Sequence, residues 1–361
     1  MPYRPADLLE LATTLLTRAG LAEDRARDVA EVLLEGDLLG HTTHGLDLLA
    51  PYLRELDSGR MTKEGDPVVV SDRGGAITWD GDYLPGPWLI RRAIDTAQQR
   101  LANHGVVTLV IRRSHHIGCL QAYLKPVTDA GLIIILTCSD PANTGVTPFG
   151  GTAPRITPNP IAAGFPTGVN RGDDNGDPVL MDISMSTTTN AMAKRLYASG
   201  ERLPGPWLVN ADGQATDDPA ALFGERPGAI LPLGGADLGH KGYALALLVE
   251  ALTSGLAGFG RADEPKRWGA SVFVQLIDPG AFAGRDAFVR QTSGLADIVH
   301  ATPVASGAPG VRLPGEGALS RRARQLRDGV TIFPTILPAL EPWAARYGVA
   351  MPRAIADTES S

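Results

Sequence analysis

Hydrophobic spacing divides the chain into three stretches. Over residues 4 to about 60 apolar positions recur at helical intervals: Leu8, Leu11 and Leu15 share one face, Pro5 suits a first turn and Gly20 a stop. The run EDRARDVAEVLLEGDLL predicts a second helix. A third is expected from near His44, with Leu46, Leu49, Leu53 and Leu56 on one stripe and Pro51 in its first turns or bending it. From about residue 70 the pattern changes to β-rich runs punctuated by glycine, of which GVVTLVIRRS, GLIIILTCS, PVLMDIS and ASVFVQLID are the clearest. Helical segments alternate with some of them: GCLQAYLKPVTDAG, STTTNAMAKRLYASG, and HKGYALALLVEALTSGLAG, the last apolar nearly all round as a buried helix would be. The tail RARQLRDGVTIFPTILPALEPWAARYG reads as helical again and is expected to pack on the N-terminal helices. Such an order predicts an α/β or α+β core with no internal repeat.

Composition narrows the function classes. A chain of 361 residues, 43% hydrophobic and 20% charged with 42 glycines, has room for two or three domains sharing a large core. A formal charge of -7 argues against a nucleic-acid or anionic-membrane partner. Two cysteines, Cys119 and Cys138, make neither a disulfide framework nor a Cys-x-x-Cys zinc spacing, so a reducing, cytoplasmic setting is expected. The start, MPYRPADLLELATTLL, lacks a basic region leading into an apolar run, and no window reaches roughly 18 uninterrupted apolar residues, so neither export nor a membrane span is expected.

The chemistry-bearing candidates lie at turns. No Gly-x-Gly-x-x-Gly follows a first strand and no Gly-x-Ser-x-Gly is present, which weighs against a Rossmann domain and a common α/β serine hydrolase. His41, His44, His115 and His116 offer imidazoles, but no thiolate or carboxylate stands at a familiar ligand spacing, and no metal is assigned. In GGADLGHKGYAL a glycine-rich turn, a helix N-terminus and Lys241 suit phosphate oxygens, although a plain turn with a solvated lysine fits the same residues. RRSHHIGCL sits where a strand ends and a helix begins, another gathering of N–H groups, or a pair of capping histidines. VRLPGEG by itself is an ordinary Pro-Gly turn.

Taken in order, the segments HGLDLLAPYL, RRSHHIGCLQAYL, TPNPIAAGFP, LMDIS, GERLPGPWLVNADGQATDDP, LPLGGADLGHKGYALALLVEAL and VRLPGEG resemble the type-2 malate/L-lactate dehydrogenase family over nearly the whole chain. That family also holds ureidoglycolate dehydrogenase, diketogulonate reductase, sulfolactate dehydrogenase and piperideine- and pyrroline-2-carboxylate reductases. The resemblance implies a non-Rossmann NAD(P)H-dependent oxidoreductase, usually a homodimer. It further implies a helical domain from residues 1–70 with 320–361, and a mainly antiparallel cofactor-binding sheet domain over 71–319 with an inserted helical subdomain near 117–150. Carried over residue by residue, it places His116, Ile117, Gly118, Cys119, Leu120, Asp182, Ile183, Ser184, His240, Lys241, Arg312, Pro314, Gly315 and Glu316 on the cofactor. It makes His44 the proton donor, with Thr43 where many members carry the serine of a relay, and puts Leu48, Thr157, Pro158, Asn190 and Met192 on the substrate side. Proton donation suits imidazole, whose ordinary pKa near 6.5 lets it hold or release a proton at neutral pH.

Departures from the family cluster on the substrate side. Met192 stands where a relay aspartate, or a lysine, is usual, and the family's Gly-Thr-Asn-Pro reads Thr157, Pro158, Asn159 and Pro160. Members acting on 2-oxo or 2-imino acids have an arginine four residues after the histidine, whereas this chain has Leu48, expected beside His44 on one helix face. A bidentate cation has become a hydrocarbon. The expectation is a reductase of a larger or less anionic ketone or imine. Its alternatives are an ordinary 2-hydroxy acid dehydrogenase using a displaced cation such as Arg54, and an inactive cofactor-binding relative serving as an assembly subunit.

Overall fold

The computed structural model describes residues 1–168 and 177–355. In chain order the helices are α1 (Pro5–Arg18), α2 (Glu23–Leu39), α3 (Leu49–Asp57), α4 (Gly86–His104), α5 (Leu124–Asp129), α6 (Asn190–Ser199), α7 (Gly235–Glu250), α8 (Arg285–His300), α9 (Glu316–Asp328) and α10 (Ile336–Tyr347). The strands are β1 (Val68–Asp72), β2 (Ala76–Asp80), β3 (Val106–Ser114), β4 (Ile133–Ser139), β5 (Ile161–Phe165), β6 (Val179–Ile183), β7 (Leu208–Val209), β8 (Ala215–Thr216), β9 (Ala229–Ile230) and β10 (Ala270–Ile277).

Seven strands of the described residues form the main sheet in the order β1-β2-β3-β10-β4-β5-β6. Among these pairings only the β2–β3 junction is parallel. Alternation along the strands serves two faces: Leu109, Ile111, Ile134, Leu136, Val272 and Val274 point into the core shared with α4 and α5, while Val110 and Phe273 pack on the other side with Ala257 and Leu252 beyond α7. The mainly antiparallel order expected of the sheet is what the chain forms.

A second core joins both ends of the chain. Leu8, Leu11, Leu15, Leu33, Leu49, Leu53 and Leu56 pack with Ile336, Leu340 and Ala344, and Tyr3 bridges to both Val330 and Ala354. α2 lies between the two cores, since Val32 and Leu39 reach the sheet's cluster while Val29 and Leu33 belong to the helical one. Residue 320 falls inside α9, whose Leu319 packs under the sheet and whose Gln325 donates to the carbonyls of Asp37 and Leu38.

Two expectations need correction. Near 117–150 there is no helical subdomain: a 3-10 turn (Leu120–Tyr123) and the six-residue α5 lead straight into β4, a central strand. The extra unit is instead a small sheet, β8-β7-β9, whose own core of Val146, Met185, Leu208 and Ile230 rests on Ala246. Nor is α7 wholly buried. Leu238, Leu245, Leu247 and Leu248 are exposed, because the helix covers the sheet with only part of its circumference.

Candidate active site

The ends of β3, β4 and β6 and the starts of β5 and β10 meet at one edge of the sheet, and a cavity of about 680 Å³ opens there against residues 40–48 of the helical domain. Gly40, in the left-handed region at φ +97, ends α2 and turns the chain toward it. The amide of His44 then donates to the carbonyl of His41 (2.8 Å), and that of Leu46 to Asp37 Oδ2 (2.7 Å). Gly45 is required by space: a Cβ there would lie 2.3 Å from Asp37 Oδ2. Asp37 is buried, its carboxyl pushed up to about 7 by burial.

The expected helix from His44 is shorter than its hydrophobic stripe. A 3-10 turn occupies Leu46–Leu48 and α3 begins at Leu49, so His44 and Leu48 are not successive turns of one α-helix. Both nevertheless line the cavity. Thr43 Oγ1 lies 2.9 Å from His44 Nδ1, leaving Nε2 as the ring's other nitrogen. Burial, aided by His41, lowers the His44 pKa to about 4.

A second imidazole stands beside it. The rings of His44 and His116 are 5.8 Å apart and 27° from parallel, with Trp268 packed 4.9 Å from His116. The Gly118 amide donates to His116 Nδ1 (3.2 Å) and the Tyr52 hydroxyl sits 2.8 Å from the same atom. An Nδ1 that accepts puts the proton of the neutral ring on Nε2. Burial pushes His116 well below its ordinary range, so both rings are neutral at pH 7. His115 is not part of this pair: fully buried against Trp268, with Nε2 3.6 Å from Glu55 Oε2, it is a core residue.

The remaining walls are apolar or acidic. Ile117, Gly118, Cys119 and Leu120 line the cavity with Asp182 and Ser184, and Leu48, Pro158, Met192 and Trp268 supply hydrocarbon and ring surface. Asp182 Oδ2 accepts from the Gln121 amide (2.9 Å) and faces Cys119 Sγ at 3.9 Å, while Gln121 Oε1 lies 2.7 Å from His41 Nε2. His41, Cys119 and Asp182 thereby bring one potential ligand atom each within 4.8 Å of one another, a grouping that chain spacing does not reveal. Thr157, expected on the substrate, donates to Asn159 Oδ1 (2.7 Å). Asn159, at φ +45, in turn donates to Glu250 Oε1 (3.0 Å) and the Ala246 carbonyl. Asp140 lies at the same end, its carboxyl pushed up to about 6 by burial. Thr189 caps α6 by accepting from the Met192 amide, which points the N-terminus of this helix, with Asn190, at the cavity. Among the described residues no lysine or arginine lines it.

Several expected cofactor residues lie elsewhere. α7 begins at Gly235, so His240 and Lys241 fall in its second turn, where amides are already spent within the helix, and His240 meets Phe149 edge-on outside the cavity. Arg312, Pro314, Gly315 and Glu316 do not line it either. The Pro314 carbonyl accepts from the Leu180 amide, Gly315 packs on Leu180, and Glu316 accepts from the Leu313 amide and pairs with His300 at the start of α9. Ile183 alternates outward from Asp182 and is exposed. Arg54 is exposed on α3 and also absent from the lining. Asp140, Tyr52 and Trp268 were not expected at the site, and His41 was given no role there. Nothing in their spacing marks them, since they arrive from separate elements.

Two neighbouring imidazoles thus line a cavity at the sheet's edge, and the fold has solved counterparts. The sulfolactate dehydrogenase of Methanocaldococcus jannaschii superposes with a TM-score of 0.84 at 25% identity, covering 97% of this chain and 98% of that one. A profile of malate/L-lactate dehydrogenase sequences matches residues 3–341, and the chain belongs to the malate/L-lactate dehydrogenase family. It is 34% identical over 351 residues to an L-lactate dehydrogenase of Cupriavidus necator (96% of this chain, 97% of that one). It is 27% identical over 350 residues to a Delta(1)-pyrroline-2-carboxylate reductase of Ancylobacter novellus (94% and 97%). The protein is thus an oxidoreductase by family, which suggests a nicotinamide cofactor. No helix among the described residues is long and apolar enough to cross a membrane.

Proposed function

We propose that the chain is an NAD(P)-dependent oxidoreductase that interconverts CH–OH or CH–NH with C=O or C=N, using His44 for the proton, on a substrate larger or less anionic than lactate or malate. The observation that carries this reading is the lining of the cavity: two neutral imidazoles, an apolar wall of Leu48, Met192 and Trp268, the carboxyls of Asp140 and Asp182, and no described cation. A carboxylate placed against Leu48 would lose its hydration without gaining a counter-charge from that wall.

On this reading a dinucleotide would be held by residues of the cavity itself. The N-terminus of α6 and the hydroxyls of Ser184, Ser186, Thr187, Thr188 and Thr189 offer donors to phosphate or ribose oxygens, and the 116–120 turn offers a wall for a ring. When bound, the nicotinamide supplies the two-electron exchange. His44, neutral at rest, accepts the proton of a hydroxyl or amine as oxidation proceeds. In the reverse direction the ring first takes up a proton from solvent, favoured by the negative charge developing on oxygen or nitrogen, and the imidazolium then gives that proton to the same atom. Thr43 fixes the ring through Nδ1, the part an acidic relay would otherwise play. His116 presents a neutral Nε2–H that stabilises the same charge without itself ionising.

The 34% identity to an L-lactate dehydrogenase favours a second reading, a small 2-hydroxy acid as substrate. Initial rates with NADH and NADPH against pyruvate, oxaloacetate, neutral ketones and cyclic imines separate the two. Faster reduction of the neutral compounds supports the first reading, and brisk reduction of pyruvate or oxaloacetate overturns it. A homodimer belongs to the same proposal. The exposed leucines of α7 form a face that a second copy would cover, and a monomer by light scattering at micromolar concentration contradicts it.

A further inference from the structure

α6 begins in the cavity and ends outside it. Its first turn gives Asn190 and Met192 to the lining, and one turn on, at the i+3 position, Arg195 leaves the sheet domain altogether. Its Nη1 donates to Thr42 Oγ1 (3.0 Å), and its Nη2 donates to the Thr42 carbonyl (3.3 Å) and pairs with Asp47 Oδ2 (3.2 Å). The guanidinium carbon lies 3.7 Å from the centroid of the Phe333 ring, on the segment before α10. One side chain therefore grips the segment 42–47 at both ends, and His44 lies between the grips. From below, the segment is tied by the Leu46 amide to Asp37.

We propose that Arg195 is a positioning residue for proton transfer: by clasping Thr42 and Asp47 it seats His44, and it links that seat to the helix that carries Asn190 and Met192. The inference rests on the reading that His44 moves the proton. Arg195 is not the displaced partner of a substrate carboxylate. Its charge is already met by Asp47, its face is covered by Phe333, and it is not among the cavity's lining residues. Thr42 stands between it and the cavity, lining that cavity itself. A lysine could not do the same, since one ammonium group cannot reproduce a planar fork that serves a hydroxyl, a carbonyl and a carboxylate while lying on a ring.

The consequences are measurable without knowing the substrate. In Arg195→Met, hydrogen exchange of the peptide over residues 40–48 is expected to lose its protection. The His44 ring, followed by NMR of ¹³C-labelled histidine with His44→Gln for assignment, is expected to titrate closer to the ordinary 6.5 than to about 4, because water reaches a loosened segment. NADH affinity by fluorescence stays within about twofold, while kcat on the fastest substrate of the panel above falls roughly 10- to 100-fold, the scale of a small misplacement of a reacting group. Thr42→Val and Asp47→Asn shift the same readouts partway, and Arg195→Lys restores stability but not kcat. Should Arg195→Met fold poorly, Thr42→Val and Arg195→Lys carry the test. Unchanged exchange and unchanged His44 titration overturn the proposal, as does a loss confined to KM, which would make Arg195 a substrate ligand. If His44→Gln keeps full turnover, the parent reading fails instead, and the exchange data still report on the clasp.

Discussion

Thr43 Oγ1 and His44 Nδ1 are 2.9 Å apart, neighbours in sequence whose side chains meet at the cavity wall. On the proposed reading this hydroxyl orients the imidazole, Met192 standing where an acidic group is expected. His44→Ala is therefore expected to lower turnover by about 10² to 10⁴ with cofactor affinity nearly intact. Thr43→Val should cost about 1 kcal/mol, roughly fivefold in kcat, as one neutral hydrogen bond is lost. Steady-state rates beside fluorescence titration of NADH check both, and full turnover in His44→Ala removes the residue from catalysis.

Burial sets a pH signature. With its pKa lowered to about 4, His44 stays unprotonated well below neutrality and, on the proposed reading, can still accept a proton in the oxidative direction. The kcat/KM for oxidation should hold level from pH 8 down to about pH 5, whereas an imidazole at 6.5 would already have failed. A profile breaking near 6.5 would show that His44 is hydrated in the working enzyme or is not the base.

On the proposed reading, Leu48 sets the charge of the substrate. Leu48→Arg should raise kcat/KM for pyruvate, oxaloacetate and piperideine-2-carboxylate by up to about 2 kcal/mol, the worth of one charged hydrogen-bonded pair. It should impair the native substrate by putting a cation into an apolar wall. Kinetics of both proteins on the same three acids decide the matter, and brisk wild-type rates, or slower ones in the variant, point to another carboxylate partner.

Asp37 makes stability depend on pH in the opposite sense to His44. A buried carboxyl raised from 3.8 to about 7 favours the fold while protonated, and that stability is lost as pH rises through about 7. At full extent the loss is on the order of 4 kcal/mol, at about 1.4 kcal/mol for each tenfold change in proton affinity between the unfolded and folded chain. Asp37→Asn, which keeps an acceptor for the Leu46 amide and cannot ionise, should melt above the wild type at pH 8. The gap should narrow steadily as pH falls below 7 and close only by about pH 4. Thermal melts across that range test it, and a constant difference would assign the effect to packing.

Much of this was legible in the residues themselves. The helical spacing of Leu8, Leu11 and Leu15, and the four clearest β-rich runs, became α1, β3, β4, β6 and β10, because period and burial agree in those segments. Thr43, His44, residues 116–120, Asp182 and Ser184 line one cavity. Lys241 and Arg312–Glu316 lie outside it. A glycine-rich turn before a helix reads alike whether it faces a ligand or a neighbouring strand, and only tertiary packing separates the cases. Arg195 was invisible for a related reason: its partners Thr42, Asp47 and Phe333 lie far off in sequence. The third helix was drawn too long because the stripe of Leu46, Leu49, Leu53 and Leu56 is equally buried whether its first turn is 3-10 or α.

The closure of the helical domain by both chain ends fixes an order of events during synthesis. His44 leaves the ribosome early, but the surfaces that seat it leave late: Ile336, Leu340 and Ala344 fill the core beneath α1 and α3, and Phe333 lies under Arg195. Until those residues emerge, the leucines of the first three helices have no complete partner, while strands from β1 onward can already begin to pair. A nascent chain therefore carries His44 unseated until α10 emerges. A truncation short of α10 should yield a chain whose sheet forms while the segment around His44 stays unassembled.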